Sequence, residues 1–354
     1  MTLRPTDFTL ATAFEDEAYD DHEQVVFCRD KINGLKAIIA LHSTKLGPAL
    51  GGTRMWDYGS SHEALTDVLR LSRGMTYKNA LAGIPFGGGK AVIMGDSARD
   101  KTPDLFAAFG RFVDGLAGRY VTAEDVGISA DDIEQVALET PHARGTRATG
   151  LGDPSPYTAL GVFSGIRAVV EARFGKTDLT GMRFAVQGLG SVGFDAARRI
   201  HEAGGRLIVA DINNDAVGRA IAAFGAETAP VDRIHAVACD VFVPCALGAG
   251  LNEISIPEIQ AGAVAGAANN QLAEEEDGLR LRKRQILYAP DYVINAGGVI
   301  SIALGKPDAG DADVVSRIKA IRETLLAIFG EAREKDRPTA DIADAMAERI
   351  VAAA

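Results

Sequence analysis

Cysteine is scarce in this chain of 354 residues, and Cys28, Cys239 and Cys245 are too few and too scattered for a disulfide framework or a zinc site. They read as reduced core thiols. Histidine is scarce too: His22, His42, His62, His142, His201 and His235 show no ligand spacing, so no metal centre is expected, and no GxSxG elbow is present for serine hydrolase chemistry. Long apolar runs are missing. None approaches the roughly 18 residues that a membrane span requires, and the leading MTLRPTDF has no basic segment followed by an apolar one. Neither a membrane partner nor secretion is expected, which leaves a cytoplasmic location as the default. Positive charge is in deficit, with Lys+Arg 37 against Asp+Glu 48 and a net charge of −11. That field attracts neither nucleic acid nor anionic membranes, so a small molecule is the expected partner. Internal repeats and low-complexity tracts are absent as well.

What is present is an ordinary globular composition, 47% hydrophobic and 24% charged. The length exceeds the size at which one hydrophobic core stops growing, so two domains are expected. The stretch 140–156, TPHARGTRATGLGDPSP, loses periodicity and fills with glycine, proline and threonine. It reads as the crossing between domains 1–145 and 146–330, with 331–354 as a terminal helical segment expected to pack back towards the first domain.

The chemical centre is residues 74–96, GMTYKNALAGIPFGGGKAVIMGD, where Lys78 and Lys90 flank a glycine run. Both lie among apolar neighbours that no exposed face needs, although lysines whose stems cover apolar surface while their amines reach water would give the same pattern. Ser60 with Glu63 predicts a capping box, and Leu65, Val68, Leu69 and Ser72 continue at helical spacing, so a helix delivers Lys78. Gly87 to Gly89 predict a turn or a close backbone approach. Residues 90–94 then read as a strand, placing Lys90 at a turn-to-strand junction. GGGK is no phosphate-binding P-loop, because Ile84 stands where glycine is needed and Ala91 where Ser or Thr is needed.

Around this centre, residues 23–29 and 35–42 predict an antiparallel hairpin. Thr102 and Pro103 start a helix, and a short strand at 120–122 ends in Glu124, Asp125 and Gly127, with Ser129 and Asp132 capping the next helix. An acidic pair at a strand end is a common place for catalytic groups, and equally a place for plain surface charge. Further along, a helix beginning at Ser155 stops at Gly175.

Residues 182–187 form an apolar strand that runs into Gly188-Leu-Gly190-Ser-Val192-Gly193 and a helix, and the next strand, 206–210, ends on Asp211. A lone GxGxxG says little. Here it follows a strand, opens a helix and has an acidic residue at the next strand's end, which is the context of a dinucleotide site. The glycines let a pyrophosphate approach the helix N-terminus, and Asp211 would bind the ribose diol and repel a 2′-phosphate, favouring NAD over NADP. Strands expected at 241–243, 263–265 and 292–295 end in Pro244-Cys-Ala246, Ala268-Asn-Asn270 and Asn295-Ala-Gly-Gly298. These edges should line the nicotinamide site of a doubly wound parallel sheet. One long amphipathic helix over 314–329 and another over 342–351 read as packing.

LGPALGGTRMW (46–56), GMTYKNA (74–80), FGGGKAVIMGD (86–96), AEDVG (123–127), PSPYTALGV (154–162), GLGSVG, GAANNQL (266–272) and YAPDYVINAGGVI (288–300) occur in one order. With these motifs the chain resembles the glutamate/leucine/phenylalanine/valine dehydrogenase family over nearly its whole length. The resemblance implies an α/β fold of two domains, an N-terminal substrate and oligomerisation domain and a Rossmann NAD-binding domain, with a cleft between them and a homo-oligomer, dimer or larger. It implies reversible conversion of an L-amino acid to its 2-oxo acid and ammonia, with hydride passed to NAD. By that resemblance Lys78 holds the substrate carboxylate, Lys90 is the general base and Asp125 exchanges protons with the departing amine. A neighbouring Lys78 would help Lys90 to become neutral.

Asn295 would bind the amino-acid head, Asn270 would lie near nicotinamide and substrate, and Thr158 would contact the nicotinamide amide. Where glutamate-using members carry a lysine, this chain has Leu50 before Gly51 and Gly52. Leu50, Ala123, Val299 and Ile302, with Gly51 and Met75, would line an apolar pocket for a branched-chain amino acid, with phenylalanine as the alternative. A non-catalytic NAD-binding module and a hydroxy-acid oxidoreductase are the competing classes. Ser97 departs from the family's usual proline.

Overall fold

The computed structural model describes residues 13–246, 248–306 and 310–354, so the leading MTLRPTDF lies outside the described residues. The chain forms two compact units. The first runs to Thr76 and resumes over Pro85–Ala148; the second takes Tyr77–Ile84 and Thr149–Ala354.

In the first unit, β1 (Gln24–Arg29) and β2 (Lys36–Ser43) pair antiparallel from Gln24↔Leu41 to Arg29↔Lys36. Asp30 closes the hairpin by accepting from the amides of Ile32 and Asn33, at 2.8 and 3.1 Å. There follow β3 (Ala49–Leu50), β4 (Thr53–Trp56), α1 (Ser61–Ala82), β5 (Gly87–Met94), α2 (Pro103–Asp114), β6 (Tyr120–Val121) and α3 (Ala130–Ala137). The sheet order is β1-β2-β5-β3-β6, with β4 also on β5. β5 is therefore central, antiparallel to β2 and parallel to β3 and β4.

Strand alternation sorts the core into two faces. Ile39, Leu41, Ala91 and Ile93 pack with Phe106, Phe109 and Val136 from α2 and α3, whereas Ile38, Ala40 and Val92 meet Leu65, Val68 and Leu69 of α1. Lys90 shares the face of Val92. The capping box at the start of α1 is half as expected: Ser60 Oγ accepts from the amide of Glu63 at 3.1 Å, but the Glu63 carboxylate reaches the amide of Gly59 at 2.9 Å.

The glycine run is strand, not turn. None of Gly87, Gly88 and Gly89 has a positive φ, and all three lie within β5. Close approach is their reason: a Cβ on Gly87 would meet Ser43 O at 1.9 Å, and one on Gly88 would meet the Thr76 amide nitrogen at 2.0 Å. Lys90 consequently sits inside a strand, opposite Ala40, and not at a turn junction.

The second unit begins its main run with α4 (Ser155–Phe174), whose Gly175 cap has φ 65. It continues β7 (Arg183–Gln187), α5 (Ser191–Glu202), β8 (Arg206–Ala210), α6 (Asn214–Phe224), β9 (Glu227–Thr228), β10 (Val241–Pro244), α7 (Ser255–Glu258) and β11 (Ala263–Val264). After these come α8 (Glu276–Lys283), β12 (Leu287–Tyr288), α9 (Asp291–Ile294), α10 (Gly297–Leu304), α11 (Ala312–Lys319), α12 (Ile321–Lys335) and α13 (Thr339–Ala352).

All six strands are parallel, in the order β12-β11-β10-β7-β8-β9. Counted from β7, this is the 3-2-1-4-5-6 order of a dinucleotide-binding sheet. Runs such as FAV, LIV and VFV are buried because helices cover both faces of such a sheet.

Two expectations fail here. Residues 292–295 are not a strand: Pro290 caps α9, its carbonyl accepts from Val293 and Ile294, and the sheet takes β12 just upstream. A run this short has no period that separates strand from helix. The single helix expected over 314–329 is two, α11 and α12, meeting at Ala320. The terminal helix α13 packs on α12, α8 and β12, within its own unit. No described helix is long and apolar enough to cross a membrane.

Candidate active site

In the first unit the strand β5 carries Lys90 into the interior, its side chain 6% exposed. A buried ammonium needs a partner, and the loop after β6 supplies one. Lys90 Nζ lies 2.9 Å from Asp125 Oδ2. The same oxygen accepts from Arg54 Nε at 3.1 Å, while Arg54 Nη1 reaches Asp67 Oδ2 on α1 at 3.1 Å. Tyr58 donates its hydroxyl to that Asp67 oxygen at 2.6 Å.

Burial opposes ionisation of Asp125, but the charges of Lys90 and Arg54 and their hydrogen bonds outweigh it and hold the carboxyl down at about 2. Burial and the Asp67 carboxylate push the Tyr58 phenol up, so it stays protonated as a donor. Against burial, Asp125 and Asp67 raise Arg54 further. Lys90 and Asp125 are thus brought together. The second cation on Asp125 is Arg54.

Lys78, on the last turns of α1, belongs to the second unit. Its Nζ donates to Asn295 Oδ1 at 2.6 Å. Asn295 is buried at the end of α9 and donates through Nδ2 to Ala267 O at 3.1 Å and to Asn269 Oδ1 at 2.7 Å. Burial raises the nearby Asp291 carboxyl, opposed by the amides of Gln271 and Tyr292 and by the charge of Lys78. Asn269, not Asn270, is the residue that touches Asn295. Asn270 takes a left-handed φ of 49 and accepts from Ala249 through its carbonyl at 2.7 Å.

The glycine turn after β7 divides its work among three positions. Gly188 has φ 92, which favours glycine, and a Cβ there would also meet Ala246 N at 2.9 Å. Gly193 lets α5 close on the turn, since a Cβ would stand 2.0 Å from Gly188 O. A Cβ on Gly190 would have nothing within 4 Å, so the space beside the start of α5 is open to a ligand.

Val192 sits half-buried in the first turn. Asp211 accepts from the amides of Leu189 at 2.5 Å and Asn213 at 2.7 Å, fixing its carboxylate beside the turn. A cavity of about 530 Å³ opens there, lined by Gly190, Ser191, Phe194, Asp211 and Arg219 among others. The open amide edge, the helix start and the fixed carboxylate fit a dinucleotide's pyrophosphate and ribose.

The remaining expected residues fall in place by unit. Leu50 is buried in β3; a Cβ on the following Gly51 would meet Gly89 O at 1.8 Å and Met75 Cγ at 3.1 Å. Ala123 is buried, and its carbonyl accepts from Thr53 at 2.8 Å. In the second unit Val299 and Ile302 stand half-buried three residues apart on α10. Thr158 donates to Pro154 O at 3.1 Å, and a Cβ on Gly298 would come within 2.7 Å of its hydroxyl. Arg54, Tyr58, Asp67 and Asn269 were missed. Arg54 and Asn269 each lie inside a motif, GGTR and GAANN, which marks them as candidates without showing what they touch; Tyr58 and Asp67 carry no signal short of the fold.

A parallel sheet in this strand order, with its glycine turn open at a helix start, defines the class: a dinucleotide-binding α/β protein that also carries a buried lysine–aspartate pair. The family model for the Glu/Leu/Phe/Val dehydrogenase dimerisation domain matches residues 22–142, and that for glutamate/leucine/phenylalanine/valine dehydrogenase matches 210–306. The chain belongs to this family and is an amino acid dehydrogenase, of a kind generally dependent on NAD(P).

It is 49% identical to the leucine dehydrogenase of Geobacillus stearothermophilus, over 95% of this chain and 92% of that protein. It is 46% identical to the phenylalanine dehydrogenase of Caldalkalibacillus thermarum, over 93% and 90%. The crystal structure of L-tryptophan dehydrogenase from Nostoc punctiforme superposes with a TM-score of 0.84 at 46% identity, covering 93% of this chain and 96% of that one.

Proposed function

We propose that this chain catalyses the reversible, NAD-dependent oxidative deamination of a branched-chain L-amino acid, leucine, valine or isoleucine, to its 2-oxo acid and ammonia. The observation that carries the substrate class is Leu50. It is buried and apolar beside Gly51, at the position where glutamate-using members resembling this chain carry a lysine, so a side-chain carboxylate finds no cation there. The identity to leucine dehydrogenases supports the same choice. An aromatic substrate is the second reading, favoured by the phenylalanine and tryptophan dehydrogenase relatives.

Gly188, Gly190, Val192, Gly193 and Asp211 would hold the dinucleotide, with Thr158, Ala246 and Asn270 towards the nicotinamide. Asp211 favours NAD, because a second negative charge at the ribose would be repelled. A bound nicotinamide would supply the hydride acceptor for the substrate Cα, which would leave the substrate as an iminium. Lys78 and Asn295 bind the carboxylate and amino head. Lys90 removes a proton from water as the water oxygen bonds to the iminium carbon. Asp125 is ionised at rest, so it hands the departing amine a proton only after receiving one from Lys90, 2.9 Å away. As the C–N electron pair leaves with ammonia, the new hydroxyl gives its proton to Lys90, neutral again after passing its first proton to Asp125, and the carbonyl forms.

A homo-oligomer built through the first unit is part of this proposal, on the strength of the dimerisation-domain match, and so is a cytoplasmic location. Steady-state rates with a panel of L-amino acids and with NAD and NADP test it. The expected result is fastest NAD reduction with leucine, valine or isoleucine. Fastest turnover with phenylalanine or tryptophan supports the second reading, and NAD binding without turnover of any amino acid overturns both.

A further inference from the structure

We propose that Arg54 is a positioning residue for the reaction: bound to the same oxygen of Asp125 as Lys90, it fixes the carboxylate and shares its charge, so that Lys90 can give up its proton and serve as base. The proposal rests on the reading of Lys90 as base given above.

A lysine paired one-to-one with a buried carboxylate is a poor base, because loss of its proton strands an uncompensated negative charge in the interior. Arginine changes that balance, since its guanidinium stays charged at any working pH. With Arg54 at 3.1 Å from Asp125 Oδ2, the carboxylate keeps a cationic partner while Lys90 is neutral. Strand register brings this about: in the parallel pairing of β4 with β5, Arg54 stands opposite Val92, on the face that Lys90 shares.

The far end of the guanidinium is tied down as well. Nη1 reaches Asp67 on α1 at 3.1 Å, and Asp67 is held by the Tyr58 hydroxyl at 2.6 Å. A planar fork spans two carboxylates; a lysine at this position would reach one.

The groups facing the pair are few. Arg54 comes from β4, Asp67 from α1 and Tyr58 from the turn between them. Tyr120 comes from β6, its phenol kept neutral by burial and donating to Gly51 O at 2.7 Å. Among the described residues, the ion pairs of Asp125 are those with Lys90 and Arg54. Asp67 lies beyond Arg54 and moderates its charge without contacting Asp125. During turnover a water O–H bond breaks, its proton passes to the free electron pair on Lys90 Nζ, and its oxygen bonds to the iminium carbon. Arg54 neither gives nor takes a proton.

The test is the pH profile of kcat/KM for Arg54→Gln and Arg54→Lys, measured with NAD and the best L-amino acid, together with the NAD dissociation constant and thermal unfolding. For Arg54→Gln the rising limb should move to higher pH by about one unit, a roughly tenfold loss at neutral pH that recovers under alkaline conditions. NAD affinity should not change. Arg54→Lys should shift the limb by less.

A uniform loss at every pH with the limb in place, or an unchanged profile, overturns the proposal. If Arg54→Gln does not fold, Tyr58→Phe decides, because it loosens only the outer tether: a smaller shift in the same direction supports the proposal and an unmoved limb overturns it. Wild-type enzyme is read first, and absence of amino-acid turnover there removes the functional reading itself, separately from any variant.

Discussion

The two sheets treat polar chemistry in opposite ways. The mixed sheet of the first unit buries a lysine in the middle of its central strand, and glycines on that strand let neighbouring backbone press against it. The parallel sheet of the second unit keeps its strand interiors apolar and offers backbone amides and asparagines at its carboxyl edge. A charge within a sheet must bring its partners with it, hence the chain Lys90, Asp125, Arg54, Asp67. A ligand site at a sheet edge needs mainly an unobstructed backbone. Glycine accordingly serves close packing in the first sheet, and in the second both close packing, at Gly193, and open space at a helix start, at Gly190.

The largest effect should come from the buried charge. Lys90→Ala should lower kcat by about a thousandfold, within the usual range for a lost general base, while NAD titration shows unchanged affinity. Near-normal turnover would erase the contrast, since the first sheet would then hold only a structural ion pair. The same substitution at two glycines sharpens it. Gly88→Ala brings a Cβ to 2.0 Å from the Thr76 amide nitrogen, and denaturant unfolding should reveal a loss of about 3 kcal/mol. Gly190→Ala meets nothing within 4 Å, so stability should stay within about 0.5 kcal/mol. Its effect should instead be a weaker grip on NAD, at least about tenfold, or about 1.4 kcal/mol. A stable Gly88→Ala protein or an unimpaired Gly190→Ala protein breaks the comparison.

Asp211→Asn should narrow the preference for NAD over NADP, read as the ratio of kcat/KM values for the two cofactors. The carboxylate's repulsion of a 2′-phosphate is what is lost. An unchanged ratio would move the discrimination elsewhere in the cavity.

The smallest effects are in acid. In the first unit, burial and the neighbouring His42 hold His22 down at about 4 from 6.5, so the fold favours its neutral form. That stability is complete above pH 6.5 and is lost as pH falls towards 4. Asp125, held at about 2 from 3.8, favours its ionised form, and its contribution is lost as pH falls from 3.8 towards 2. Asp291 in the second unit is raised by burial and has the opposite sign, its contribution being lost as pH rises. Acid unfolding of His22→Gln should therefore flatten the first window and leave the second. Equal flattening of both would show that the two windows share one cause.

Much of the second unit was legible because its signals are local. A strand, a spaced glycine turn, a helix and an acidic strand end follow one another in sequence, and the strand over 206–210 is found with those bounds. Lys90 and Asp125 were legible through the resemblance. Close approach at the glycine run was legible but its place within a strand was not, because the residues that need the space at Gly87 and Gly88 are Ser43 and Thr76, on other elements. Arg54 was passed over for a related reason. An arginine in a motif gives no sign of its two carboxylates until the strand register sets it on the same face as Lys90. Residues 292–295 were too short a run to show a period.

Helix α1 is one continuous element, yet its last turns and the residues to Ile84 belong to the second unit. The Tyr77 hydroxyl donates to Glu348, Lys78 to Asn295, and Ala82 O accepts from Arg317, at separations of 271, 217 and 235 residues. On a ribosome adding roughly 5–20 residues per second, those partners arrive tens of seconds after the helix itself. The strip of helix bearing Lys78 thus emerges long before the groups that bind it exist. Synthesis of the second unit, more than the folding of the first, sets when Lys78 acquires its setting.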